Sequence, residues 1–145
     1  MSEKLSFNAW VKQAAATADM PEDKARLVMK AALGMIHKYA ADDARRDLYA
    51  SVSGCKAAAQ DSESRPKARK GLFSGMLGGL GGQRGAAMAD GMGLLDRMSK
   101  QGITRSSMRK LLPAARSVVV SETGQDLFGR ALATIPGAAS AFEKI

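Results

Sequence analysis

Apolar side chains recur at three- and four-residue spacing along most of this chain, and that period commits it to helices. Phe7, Trp10, Val11, Ala14 and Ala15 share one face of a first helix, with Ser6 placed to cap it. Ala25, Val28, Met29, Ala32, Ile36 and Tyr39 line a second, opened by the capping-box spacing of Asp19 and Glu22 with Pro21 in the first turn. Asp42 and Asp43 suit the positive end of a third. Its stripe is Ala44, Leu48, Val52, Cys55 and Ala59, and Gly54 is placed to end it early. Beyond Gly85, Met88, Met92, Leu95 and Met98 form a core stripe that stops at Gly102. Thr104 caps the next helix, whose apolar positions are Met108, Leu111, Leu112, Ala115 and Val119. Pro113 removes a backbone donor there, so a kink or break is expected. Thr123 and Asp126 repeat the capping-box spacing ahead of Leu127, Phe128, Ala131, Leu132 and Ile135, and Pro136-Gly137 stops that helix. No strand alternation extends beyond the triplet Val118-Val119-Val120.

The expected fold is therefore all-α, a compact bundle of six to seven short helices with a basic linker and a Gly-rich apolar segment in the middle. A three-helix unit occupies 1–60, the linker and Gly/Leu/Met-rich segment 61–84, and a second helical unit 85–145, the two units sharing one core. Residues 60–70 carry no large apolar side chain and read as exposed. A chain of 145 residues buries roughly 70% of its extended surface, so no metal or disulfide staple is needed. Aromatics at 5% argue against a β-sandwich or barrel.

Composition also narrows the chemistry. The single cysteine, Cys55, excludes an internal disulfide framework and a Cys-based zinc site; the single histidine, His37, excludes a two-histidine metal site. Cys55 reads as a small buried hydrophobe, and His37 as an ordinary imidazole late in its helix. The acidic pairs Glu22/Asp23 and Asp42/Asp43 stand at helix starts, where dipole and capping account for them. The glycine-rich segment lacks the spacing of a phosphate loop. These readings predict no enzyme, cofactor, metal or small-molecule substrate. The N-terminus carries no secretory leader pattern and no run of 18 apolar residues exists, so a cytoplasmic protein is expected.

Charge is unevenly distributed. Net charge is +8, yet the window Arg65–Arg116 holds eleven basic residues against Asp90 and Asp96 alone. Arg97, Lys100, Arg105, Arg109, Lys110 and Arg116 are the candidate contacts for nucleic acid or another anionic partner, with a solvated basic surface as the simpler reading. Residues 97–112 have a helix-turn-helix outline. Gly102 sits in the turn, Ile103 behind it, Met108 and Leu111 face inward, and Arg105, Ser106, Arg109 and Lys110 face out. Gln101 and Arg97 stand where that motif buries apolar side chains, and a capped helix after a glycine also joins ordinary antiparallel helices. Leu72, Phe73, Met76, Leu77 and Leu80 are the candidate docking residues for a protein partner, a second copy or an anionic membrane surface.

The stretches Leu-Phe-Ser-Gly-Met-Leu-Gly-Gly-Leu-Gly-Gly, Met-Ser-Lys-Gln-Gly-Ile-Thr, Met-Arg-Lys-Leu-Leu-Pro and Glu-Thr-Gly-Gln-Asp-Leu-Phe together resemble a bacterial family, the Vcg-type domain of unknown function. The resemblance covers roughly residues 71–135. It implies a helical unit and a bacterial source, reads Gly102 and Pro113 as structural punctuation, and brings no activity or site with it. The basic character of this half departs from the family pattern. The function expected is non-enzymatic association through an apolar helical surface flanked by the basic window.

Overall fold

The computed structural model describes residues 4–61, 64 and 82–136. It is a helical bundle: β1 (Leu5–Ser6), α1 (Phe7–Ala18), α2 (Glu22–Tyr39), α3 (Asp42–Ser51), β2 (Val52–Ser53), α4 (Cys55–Gln60), α5 (Gly82–Lys100), α6 (Arg105–Thr123) and α7 (Leu127–Ala133). The all-α expectation holds, with one local addition. β1 and β2 pair in parallel, Leu5 opposite Val52 and Ser6 opposite Ser53.

The centre of the core is Trp10 on α1. It is fully buried, its Nε1 donates to the Ala115 carbonyl at 2.9 Å, and its ring meets Phe128 edge-on at 4.9 Å. One side chain thus ties α1 to α6 and α7. Ala14, Ala15 and Ala18 keep the rest of that face small, so α1 and α6 make the most extensive helix pairing of the molecule. On its other flank α1 packs on α2, which carries α4 and α5. α7 closes the far side against α3 and α6.

Two caps form as the sequence predicts. Ser6 Oγ accepts from the Ala9 amide at 3.1 Å, and Thr104 Oγ1 from the Ser107 amide at 3.0 Å. Both capping boxes are corrected. Asp19 is the left-handed residue that ends α1 (φ 54°), and the Met20 amide reaches back to the Ala15 carbonyl, a reversal that Asp tolerates better than most residues. α2 therefore begins after Pro21, without a side-chain cap. Thr123 belongs to α6, where its hydroxyl donates to the Val119 carbonyl, and Asp126 itself caps α7 by accepting from the Gly129 amide.

Three further readings change. Ala44, Leu48, Val52, Cys55 and Ala59 are all buried, but the helix stops at Ser51 because Val52 is extended to pair with Leu5; Gly54 (φ 81°) then launches α4. α6 runs unbroken through Pro113, whose side is exposed. Ser64, inside the expected exposed linker, is completely buried. Its backbone lies so close over Gly34 that a Cβ there would overlap the Ser64 carbonyl. Gly34 is thus required by a close approach in mid-helix, where glycine would otherwise be costly.

Candidate association surface

α5 is the helix that departs most from its predicted packing. Met98 of the expected stripe is buried, joined by Ala87 and Leu94, but Met88 and Met92 face solvent, 38% and 37% exposed. They form an i, i+4 pair on the outer face, with half-buried Leu95 beside them packed against the core. The only other large apolar side chain exposed among the described residues is Val120 on α6.

The inner face of α5 carries the opposite anomaly. Asp90 is buried, 4% exposed. Its Oδ2 accepts a short hydrogen bond from the Tyr39 hydroxyl and another from Lys38 Nζ at 2.8 Å. Both donors lie in the last turn of α2, so a polar anchor fastens α5 to that helix end. Burial, then the bond to Asp90, pushes the Tyr39 phenol up, so the ring stays a neutral donor. The bond to Asp90 likewise raises Lys38 and keeps it charged.

The six predicted anion contacts fall into two groups. Arg116 is engaged within the fold, its Nη2 meeting Asp126 Oδ2 at 2.5 Å with Nε close to the same carboxylate. That pairing raises Arg116 and holds Asp126 below its ordinary range. Lys100 pairs with Asp96 four residues earlier at 3.4 Å, and Arg97 is half-buried and engaged. Arg105, Arg109 and Lys110 are exposed on the first turns of α6, with no ion pair among the described residues. Ile103, Met108 and Leu111 point inward as the helix-turn-helix outline requires. The two helices nevertheless part after the turn, α5 lying on α2 and α6 on α1. The docking candidates Leu72, Phe73, Met76, Leu77 and Leu80 lie outside the described residues.

Sequence reading missed the anchor and the exposed methionines for one reason. α5 is apolar on both sides, so its periodicity marks two faces without saying which one docks. The signal that was present is Asp90, an acid in mid-helix with no cation at i±3 or i±4 to account for it. Among the described residues, no helix is long and apolar enough to cross a membrane. The chain matches no known family model, no curated protein and no solved structure.

Proposed function

We propose that this protein acts by association rather than catalysis, presenting the outer face of α5 to an acidic protein partner. Two departures in α5 carry the reading: beside buried Ala87, Leu94 and Met98 the helix buries a carboxylate, and it exposes two methionines. A surface helix shaped by solubility alone does the reverse. Methionine adapts its shape to a partner's relief, which suits a contact surface. The net charge of +8 repels a second copy and favours a partner of opposite sign. In this reading the activity is cytoplasmic, which the lone buried Cys55 supports.

The test is a photo-crosslinking residue installed at position 88 or 92 in cells, with exposed position 12 as control. Adducts with an acidic protein from 88 and 92, absent from 12, support the reading. Adducts of twice the chain mass, equal labelling at all positions, or none, overturn it.

A second reading is nucleic-acid binding through Arg105, Arg109 and Lys110, favoured by their lack of ion pairs among the described residues. It predicts affinity that falls steeply with salt, with about one unit of salt slope lost per phosphate-contacting residue removed. Binding insensitive to salt removes it.

A further inference from the structure

A second feature lies at the same end of α2. A solvent-open cleft of about 650 Å³ is lined by His37, Asp42, Arg45, Arg46, Tyr49, Ala50 and Lys56. It forms where the end of α2, the length of α3 and the first turn of α4 converge. Its size is that of a small-molecule site.

The charges around it are unbalanced in a specific way. Arg45 is committed to the fold: Nη1 donates to the His37 carbonyl at 3.0 Å and Nη2 pairs with Asp42 on the rim. That pairing also neutralises the only acid lining the cleft among the described residues. Arg46 and Lys56 are left, on different helices, exposed and with no ion pair among the described residues. The same cleft holds an aromatic pair: the His37 and Tyr49 rings stack at 6.1 Å with 24° between planes, and His37 Nδ1 meets the Tyr49 hydroxyl at 2.9 Å. When that hydroxyl donates to Nδ1, the imidazole proton sits on Nε2 and is available to a ligand. Two fixed positive charges and one imidazole donor match the charge and oxygens of a phosphate dianion.

We propose that this cleft is a binding site for a small phosphomonoester, its phosphate held by Arg46, Lys56 and His37 and its organic part against Tyr49 and Ala50. The site is independent of the α5 surface, shares no residue with it, and assigns a ligand to a chain whose sequence predicted none.

Electrostatics makes the site self-reporting. Burial, then the charges of Arg45 and Lys56, hold the His37 imidazole below its ordinary value. Tyr49 is pushed up to about 12, chiefly by burial, so it remains a neutral partner throughout. A bound dianion adds negative charge beside His37 and must raise its pKa. The charged and titratable groups that line the cleft with the imidazole are Asp42, Arg45, Arg46, Tyr49 and Lys56. His37 is the single histidine, so its C–H proton resonances report the site alone.

The experiment follows those resonances by NMR during titration with inorganic phosphate, with phenyl phosphate, and with chloride at matched ionic strength. Saturable shifts with phosphate and phenyl phosphate, a raised His37 pKa, and at least about tenfold weaker binding in Arg46→Gln/Lys56→Gln support the proposal. Tighter binding of phenyl phosphate than of phosphate assigns the organic part to the Tyr49 wall. Both substituted side chains are exposed, so the variant folds, which the dispersion of the remaining spectrum checks. A response equal to that of chloride, no saturation, or full binding by the double variant overturns it.

Discussion

Replacing Tyr39 with Phe removes the hydroxyl that donates to Asp90 and leaves the ring's apolar contacts in place. The buried Asp90 carboxylate then relies on Lys38, whose side chain is half exposed and hydrated. Stripping one donor from a buried acceptor costs about 1–3 kcal/mol. Asp90→Ala does comparable damage from the other side by leaving the buried Tyr39 hydroxyl without its acceptor, whereas Lys38 rehydrates at little cost. In the double variant Tyr39→Phe/Asp90→Ala neither polar group remains, so the two losses overlap. The expected coupling energy is about 1–3 kcal/mol. Urea denaturation followed by the fluorescence of the single tryptophan, Trp10, gives the global term. Amide exchange along α5 gives the local one, which falls first because α2 is the chief support of α5. Additivity of the single variants to within about 0.5 kcal/mol, with unchanged α5 protection in Tyr39→Phe, refutes the anchor.

Gly34→Ala forces a Cβ into the Ser64 carbonyl and is expected to cost about 1–3 kcal/mol; a melting temperature at or above wild type contradicts the close approach. Asp126→Ala removes the cap on Gly129 and the Arg116 pair, with the cap alone costing about 1 kcal/mol. Because Arg116 first, and the Gly129 amide, depress the Asp126 pKa below 3.8, the pair's stabilisation is complete above that value and is lost as pH falls through the depressed one. The gap between wild type and variant must therefore narrow in acid, and a gap constant from neutral pH to pH 2 rejects the linkage. Cys55 is buried, and burial pushes its thiol up to about 12, so thiol reagents at pH 8 label it only after unfolding; fast labelling of the native protein is the contrary result.

What was legible in the sequence is what local periodicity determines. The stripes of α1, α6 and α7 land in the core because burial there follows the helical period, and Ser6 and Thr104 cap because each stands one residue before its run. The failures share a cause: the deciding contact is distant in sequence. Gly54 is placed to end the α3 stripe early, but the helix already stops at Ser51, where Val52 turns extended to pair with distant Leu5. Asp19–Glu22 has the spacing of a cap, but the reversal after α1 claims Asp19 for a left-handed turn. Ser64 looks like linker until Gly34 is placed beneath it. His37 and Tyr49, twelve residues apart, meet only through the turn between the end of α2 and α3.

The same reasoning separates stability from binding in α5, and makes that separation testable. Its attachment rests on Asp90, Ala87, Leu94 and Met98, whereas Met88 and Met92 make no comparable contribution from the outer face. Met88→Gln/Met92→Gln should therefore leave the urea midpoint within about 0.5 kcal/mol of wild type. A partner seated on those methionines must stabilise the helix by mass action, about 2.7 kcal/mol at a hundredfold excess over its dissociation constant. α5 amides should then exchange more slowly in the complex, while amides of α1 opposite Trp10 barely change. Equal slowing across the bundle places the partner elsewhere, and marked destabilisation by the glutamines means the methionines belong to the core after all.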